Sequence, residues 1–299
     1  MLPARQLIFT DLDGTLLDAH TYSWSPAEDA LNEIERRGVP LIFVTSKTRA
    51  ELDVLRRKLG NKHPFITENG GGIFIPEGYF NLRIEGGRRI GRYICCALAR
   101  PYAEITYELT EIATEAGAEV VGFHQMSARE IAQNTGLDLR QAELARRRDF
   151  DEPFFFAGAS DEIIRDFCQA AARRGMQVTR SGRFWHLAAG SDKGRATRQL
   201  LKLYRSATRS RFTCVGLGDS ENDTPLLAAV DQPVLLPRPD GSFDPAVLSK
   251  LPHVVRGAAP GPAGWNQAVL QALERGCGRR RQRFPRHRER VGHSESTWE

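Results

Sequence analysis

The apolar run Leu7-Ile-Phe-Thr10, followed at once by two aspartates, constrains the fold of this chain more than any other feature. The run is short and partly β-branched, which predicts a buried parallel strand. Asp11 and Asp13 come directly after it, and Gly14 lets the chain turn away without a side chain in the way. Because ligands bind at the carboxyl ends of strands in an open parallel sheet, we expect both carboxylates to project into that crevice.

Two carboxylates separated by a single residue repel each other unless a cation lies between them. A hard, oxygen-liganded ion suits such a pair, so the sequence predicts a Mg²⁺ site that includes Asp11 and Asp13. The alternative is an ordinary acidic turn after a strand, because Asp-x-Asp-Gly sequences are common. Deciding between the two requires partners for the chemistry further along the chain.

The spacing of apolar residues divides the chain into regions. Strand and helix patterns alternate over residues 1–78, which predicts right-handed βαβ units and a parallel sheet. Residues 79–187 are predicted to form an α+β insertion, with a strand over 79–84 and helical spacing over 91–116. The α/β pattern resumes over residues 188–275. The predicted fold class is therefore α/β, with a parallel-sheet core interrupted by a second domain.

Length and composition exclude several classes of protein. With 299 residues, of which 41% are hydrophobic and 26% charged, the chain is expected to be globular, with two domains and no membrane span. The first residues do not resemble a signal peptide. Five cysteines without CxxC spacing indicate small core residues in a reduced compartment, so a cytoplasmic location is expected.

The positive charge of the chain is concentrated at its end. The net charge is +5, but seven arginines and three glutamates beyond residue 275 contribute +4 of it, which leaves +1 for the rest. Residues 276–299, the basic tail, are expected to be disordered. A tail of this kind predicts at most non-specific, salt-sensitive attraction to anionic surfaces or nucleic acid.

Polar residues also stand where later strands end and helices begin. Thr45 and Ser46 end the second predicted strand, where hydroxyl and backbone N–H groups can bind an anion. Lys193 begins a helix and is a candidate to bind the same anion. The plain alternatives are an N-cap for Thr45 and a solvated surface position for Lys193.

A loop over residues 216–223 provides a second acidic group. A strand ends there in two glycines and is followed by Asp219, Asn222 and Asp223. These acids can complete a metal shell begun at the first strand, although an Asx-rich loop that caps the next helix is the alternative. Together with Thr45, they supply parts that phosphoryl transfer needs.

In chain order, these segments resemble the four motifs of the haloacid-dehalogenase-type phosphatases: Asp11-Leu-Asp-Gly-Thr15, Thr45, Lys193 and Gly218-Asp-Ser-Glu-Asn-Asp223. The resemblance implies a Rossmann-like core split by a cap domain that enters after the third core strand. It also implies that Asp11 is the nucleophile and that Asp13 protonates the departing alkoxide. Mg²⁺ would be held by Asp11, the backbone carbonyl of Asp13, Asp219 and Asp223. The phosphate would be held by Thr45, Ser46 and Lys193, with Asn222 orienting the set.

Further segments resemble the family of mannosyl-3-phosphoglycerate phosphatases over residues 5–275: Val44-Thr-Ser-Lys-Thr-Arg-Ala-Glu-Leu52, Thr67-Glu-Asn-Gly-Gly-Gly72, Glu152-Pro-Phe154, Gly182-Arg-Phe-Trp-His186, Asp192-Lys-Gly194 and Gly261-Pro-Ala-Gly-Trp265. This implies hydrolysis of mannosyl-3-phosphoglycerate through an aspartyl-phosphate. The partner would be a small phosphorylated sugar-glycerate, with no membrane and no specific nucleic acid. Alternatives are glucosyl-3-phosphoglycerate, another sugar phosphate or, from a different class, an anionic-surface binder acting through the basic tail.

The glycerate carboxylate of such a substrate needs a basic partner. Arg180, Arg183 and His186, on the hairpin that leads from cap to core, are the candidates. Asn69, with Glu68 beside it, could contact sugar hydroxyls. The alternatives are solvated hairpin arginines, a packed His186 and an ordinary Asn-Gly turn.

Overall fold

The computed structural model of the protein describes residues 5–181 and 184–278. The candidate Arg183 and nearly all of the basic tail lie outside these residues. The strands, in chain order, are β1 Arg5–Thr10, β2 Leu41–Phe43, β3 Phe65–Thr67, β4 Gly72–Pro76, β5 Arg88–Ile90, β6 Tyr93–Ala97, β7 Val120–Gly122, β8 Asp151–Phe156, β9 Gln177–Ser181, β10 Phe184–Ala188, β11 Phe212–Gly218, β12 Gln232–Leu235 and β13 Val255–Arg256. The helices are α1 Glu28–Arg37, α2 Arg49–Lys58, α3 Tyr102–Ala116, α4 Ala128–Thr135, α5 Leu139–Ala145, α6 Asp161–Arg173, α7 Lys193–Thr208, α8 Thr224–Leu227, α9 Pro245–Lys250 and α10 Gly261–Gly278.

A five-stranded parallel sheet forms the core, in the order β13-β12-β11-β1-β2. Along β1 the side chains alternate between its two faces. Ile8 packs in the apolar cluster formed with α1 and α10, whereas Leu7 and Phe9 pack in the cluster formed with α7. Because helices cover both faces, the consecutive residues Leu7, Ile8 and Phe9 are all buried, and the predicted Rossmann-like α/β core is confirmed.

An antiparallel sheet, β3-β4-β6-β5, continues the core beyond β2 through one parallel bridge, from Val44 to Ile66. Two predictions for this region are wrong. Residues 79–84 form bends and irregular backbone rather than a strand, and the rings of Tyr79 and Phe80 pack against Tyr204 instead. The helix predicted over 91–116 begins only at α3, because the preceding residues form β6 against β4.

Residues that follow β6 form the predicted cap, with the antiparallel sheet β7-β8-β10-β9. Helices α3 and α6 cover one face of this sheet, and apolar residues of α4 and α5 pack near the other. The boundaries at residues 79 and 187 stay a prediction. The pairing of β6 with β4 leads us to propose a later entry into the cap, near Ala99.

Across the described part of the chain, no helix combines the length and the apolar character that a membrane span requires.

Candidate active site

Two parallel strands end side by side at the centre of the site. The backbone N–H of Asp11, at the end of β1, donates to the carbonyl oxygen of Leu217 in β11 at 2.9 Å. Gly14 has a φ of +75°, and a Cβ there would lie 2.8 Å from Oδ2 of Asp219. A Cβ on Gly218 would lie 2.5 Å from that of Asp223. Gly14 therefore lets the loop after β1 approach Asp219, and Gly218 lets the loop after β11 fold back so that Asp223 lies against the end of its own strand.

Three carboxylates meet between these strand ends. Oxygen atoms of Asp11, Asp219 and Asp223 all lie within 4.8 Å of one another. Burial, together with the charge of Asp223, raises the pKa of Asp11 well above its ordinary value. The same two causes raise the pKa of Asp219 to about 6. Concentrated negative charge with oxygen donors at this spacing fits a hard divalent cation such as Mg²⁺.

Lys193 lies inside this acidic cluster. Its ammonium group, which is 1% exposed, donates to Oδ1 of Asp11 at 2.8 Å and to Oδ1 of Asp223 at 2.6 Å. Burial opposes the charged form, but the two carboxylates outweigh burial and hold the pKa of Lys193 above its ordinary value. The side chain of Asp192 caps α7, which begins at Lys193, and so fixes the position of the lysine. The predicted nucleophile and the predicted phosphate-binding lysine are thus in direct contact.

Asp13 faces a different partner. Its Oδ2 forms an ion pair with Nζ of Lys47 at 2.8 Å, while its Oδ1 is buried and accepts no hydrogen bond from the described residues. Its carboxylate is not part of the three-carboxylate group, which is consistent with the predicted use of its backbone carbonyl for metal. Sequence reasoning did not single out Lys47, although it follows directly on Thr45 and Ser46.

The loop after β2 is held rigidly beside β1. Val44 donates to the carbonyl oxygen of Thr10 at 2.8 Å, so Thr45 and Asp11 follow the ends of neighbouring strands. Thr45 is buried, and its hydroxyl accepts the N–H of Lys47 at 3.2 Å. The N-cap alternative for Thr45 is wrong, because Thr48 caps α2. The bond to Lys47 leaves the Thr45 hydroxyl free to donate to an anion.

Two other predicted phosphate ligands, Ser46 and Asn222, are engaged in contacts outside the acidic cluster. The carbonyl oxygen of Ser46 accepts a hydrogen bond from Arg148 at 3.2 Å, which links the core to the cap. Asn222 is exposed, and its Oδ1 accepts a hydrogen bond from the hydroxyl of Ser220 at 2.8 Å. The geometry therefore favours an orienting role in the loop for Asn222 over direct contact with phosphate.

Glu68, which follows β3 in the core, is fully buried against the segment that leads into the cap strand β8. Its carboxylate accepts backbone N–H groups of Asp149 at 3.0 Å and Phe150 at 2.7 Å, and it lies 3.7 Å from Arg148. Burial raises its pKa to about 8, against the opposing charge of Arg148. These contacts favour a structural role at the core–cap junction over the predicted contact with sugar. Asn69, at a left-handed φ of +56°, keeps a buried Oδ1 without a hydrogen bond from the described residues.

A cleft of about 200 Å³ separates the core from the cap sheet. His186 lines it from the cap, with its Nδ1 2.9 Å from Oδ2 of Asp151. Arg148 also lines it, although only 5% of its side chain is exposed because it binds the same oxygen at 2.6 Å. Sequence reasoning missed both Arg148 and Asp151, since their encounter with His186 depends on the pairing of β8 with β10.

The prediction that Arg180 reaches this cleft is not supported. In the antiparallel register, Thr179 is opposite His186 and Arg180 is opposite Trp185. Trp185 packs on the face covered by α3 and α6, and the guanidinium of Arg180 lies 5.4 Å from its ring centroid. Because paired residues share a face, Arg180 lies on the side of the cap sheet away from the cleft.

The chain is similar to known proteins in both sequence and fold. A family model described as haloacid dehalogenase-like hydrolase matches residues 8–81. A glucosyl-3-phosphoglycerate/mannosyl-3-phosphoglycerate phosphatase of Methanococcoides burtonii is 40% identical over 272 residues, covering 90% of this chain and 97% of that protein. A protein of the same description from Persephonella marina is 39% identical over 91% of this chain and 99% of its own length. A solved haloacid dehalogenase-like hydrolase from Bacteroides thetaiotaomicron has a TM-score of 0.63 at 18% identity, covering 91% of this chain and 99% of that one, and shows the fold alone.

Proposed function

Because the chain belongs to the haloacid dehalogenase-like hydrolases and is thus a phosphoric monoester hydrolase, we propose that it dephosphorylates mannosyl-3-phosphoglycerate and glucosyl-3-phosphoglycerate. The products would be inorganic phosphate and the corresponding glycosylglycerate. The observation that carries this proposal is the contact of Lys193 with Asp11 at the edge of the three-carboxylate group. The substrates named for the two relatives above support the choice of ester.

The carboxylate group fits a bound Mg²⁺. Asp11, Asp219 and Asp223 would hold the ion together with the backbone carbonyl of Asp13. Bound there, Mg²⁺ would offset the repulsion between a carboxylate nucleophile and a phosphate dianion. Burial and the charge of Asp223 raise the pKa values of Asp11 and Asp219, and both are consequences of crowding carboxylates into a buried site that a cation would neutralise.

The reaction proceeds in two steps on the residues of this chain. An oxygen of Asp11 attacks phosphorus, the ester P–O bond breaks, and Asp13 gives its proton to the departing alkoxide. Water then attacks the aspartyl-phosphate, Asp13 takes its proton, and the bond between Asp11 and phosphorus breaks. Lys193 holds Asp11 in place and offers its charge to the phosphate oxygens.

Measuring phosphate release over a panel of esters tests the proposal. The panel contains both glycosyl-3-phosphoglycerates, 3-phosphoglycerate, glucose 6-phosphate and p-nitrophenyl phosphate, each with Mg²⁺. We expect the highest kcat/KM for the glycosyl-3-phosphoglycerates. A higher value for glucose 6-phosphate would assign the enzyme to another sugar phosphate, and no release from any ester would reject the phosphatase function.

A further inference from the structure

A second cavity of about 290 Å³ opens beside the cleft, between the core and the cap. The loop after β1 contributes Tyr22 and Trp24, and the cap contributes Leu137 and Gln141. Lys47 and Leu137 line this cavity and also line the cleft that contains Asp13. The two spaces are therefore adjacent, and Lys47 lies between them.

Hydrogen bonds to Asp18 hold the loop that carries Tyr22 in a defined conformation. Oδ1 of Asp18 accepts the backbone N–H of His20 at 3.1 Å and of Thr21 at 2.8 Å, and the N–H of Tyr22 returns to the carbonyl oxygen of Asp18 at 3.0 Å. Tyr22 has a φ of +56°, a left-handed conformation that costs free energy for a residue with a large side chain. This conformation places its ring 4.9 Å from Nζ of Lys47.

Among the basic residues that line the cleft, Lys47 is the best placed to meet an anion. Arg148 is engaged by Asp151 and by the carbonyl oxygen of Ser46, and His186 is engaged by Asp151 as well. Lys47 forms its ion pair with Asp13 alone among the described acids, and 15% of its side chain is exposed. A substrate anion can therefore replace Asp13 as its partner at the junction.

The chemistry of a glycosyl-3-phosphoglycerate matches this layout. Its phosphate is on carbon 3 of glycerate, and the sugar and the carboxylate are both attached to the adjacent carbon 2. An ester held at Asp11 would consequently send both groups past Asp13 toward Lys47. Aromatic rings suit the apolar face of a sugar ring, and polar groups at the rim suit its hydroxyls.

We propose that the Tyr22–Trp24 cavity receives the sugar and that Lys47 binds the glycerate carboxylate. This inference rests on the proposed function, because it assumes an ester of glycosylglycerate at Asp11. It assigns selection of the sugar chiefly to a loop of the core domain, with the cap closing the cavity through Leu137 and Gln141.

The test compares two substrates that differ by the sugar alone, mannosyl-3-phosphoglycerate and 3-phosphoglycerate. Glycine tolerates the left-handed conformation, so Tyr22→Gly removes the ring without straining the loop. We expect Tyr22→Gly and Trp24→Leu each to lower the ratio of kcat/KM between the two substrates by about tenfold, mostly through KM. The control is Tyr107→Ala, at an exposed position of α3, and it should leave the ratio unchanged. Alanine is used there because glycine would destabilise the interior of a helix.

The Lys47→Met variant tests binding of the carboxylate separately from binding of the sugar. It should weaken kcat/KM for both carboxylated esters by roughly 10- to 100-fold more than for p-nitrophenyl phosphate, which has no carboxylate. Binding of mannosylglycerate to the Asp11→Asn variant, measured by calorimetry, should be lost with Tyr22→Gly or Lys47→Met, and this readout needs no turnover.

Unchanged substrate ratios in Tyr22→Gly and Trp24→Leu, with wild-type phosphatase activity on mannosyl-3-phosphoglycerate, would overturn the sugar site while leaving the proposed function intact. Equal losses of Lys47→Met on all esters would overturn its assignment to the carboxylate. If the wild-type protein released no phosphate from any ester, the proposed function itself would fail.

Discussion

The core site and the cap face of the cleft differ in how their charges are arranged. In the core, Asp11, Asp223 and Lys193 are buried against one another, and each is fixed by the strand or helix that carries it. On the cap side, Arg148 and His186 reach the cleft but share one carboxylate, Asp151. The core is thus preorganised for one reaction, whereas the cap face offers few charges that a substrate could claim. On this difference we propose that the strand ends carry the chemistry and that the junction between the domains selects the substrate.

The largest effect is expected from the nucleophile. Asp11→Asn should lower kcat at least about 1,000-fold, because an amide cannot form the acyl-phosphate while the fold is retained. Phosphate release and far-ultraviolet circular dichroism measure the two properties. Asp166→Asn, exposed on the outer helix α6, is the control and should keep full activity. Activity above a few percent in Asp11→Asn would mean that another group attacks phosphorus.

The second-largest effect is expected from the metal site of the core. Chelation should abolish turnover, Mg²⁺ should restore it, and Asp219→Ala should raise the Mg²⁺ concentration needed by about tenfold or more, since few carboxylates hold the ion. A Mg²⁺ titration of phosphate release measures this. Glu221→Ala changes the same loop at an exposed acid that pairs with Lys250, and it should leave the titration unchanged. Full activity in chelator would contradict the metal site.

The two lysines should differ in their effect on stability. Lys193→Met leaves two buried carboxylates without a cation and should lower the free energy of unfolding by about 3 kcal/mol, measured in urea without Mg²⁺. Lys47 is less buried, so Lys47→Met should cost less than half of that. Lys202→Met, exposed on the same helix α7, is the matched control. Equal losses for Lys193 and Lys47 would show that the core site is no more preorganised than the junction.

Sequence reasoning could predict that the acidic residues of the core lie together, because each depends on a local pattern. Asp11 and Asp219 each follow directly on a buried apolar strand, and parallel strands bring such ends to one edge of a sheet. The cap face depends on register, and a shift of one position along β9 exchanges Thr179 for Arg180 on the cleft side. No local pattern encodes that register. For this reason the prediction that Arg180 reaches the cleft was wrong, and Arg148 was missed.

Long-range pairing explains the remaining errors of the fold prediction. The residues of β6 alternate between two apolar clusters, with Cys95 in one and Cys96 in the other, and this period of two was hidden within a helix-like spacing. Glu68 was assigned to substrate because it precedes Asn-Gly. Its carboxylate oxygens instead accept backbone N–H groups from a segment about 80 residues further along the chain, and no local sequence pattern spans that separation.

The junction should be sensitive to pH through Glu68. Its pKa is about 8 in the folded protein against an ordinary value of 4.5, so stability is fully present below 4.5 and decreases as pH rises toward 8. Glu68→Gln removes that decrease, and its free energy of unfolding relative to wild type should rise by at least about 1 kcal/mol between pH 5 and 8. Glu77→Gln, exposed and paired with Arg89, should show no such trend. A relative stability that falls over this interval would indicate that Glu68 is charged and paired with Arg148.

The smallest effect is expected at Arg180, and it tests the register of the cap sheet. Its guanidinium lies over Trp185 on the face covered by helices, where a cation–π contact at an exposed site contributes about 0.5–1 kcal/mol. Arg180→Ala should therefore lower the free energy of unfolding by no more than that and change kcat/KM for mannosyl-3-phosphoglycerate less than about twofold, within the range of surface substitutions. Urea unfolding and initial rates on the glycosylated ester measure the two effects, with Arg165→Ala on the exposed side of α6 as control. A tenfold loss confined to carboxylated esters would place a carboxylate contact on the hairpin and would contradict the register that turns Arg180 away from the cleft.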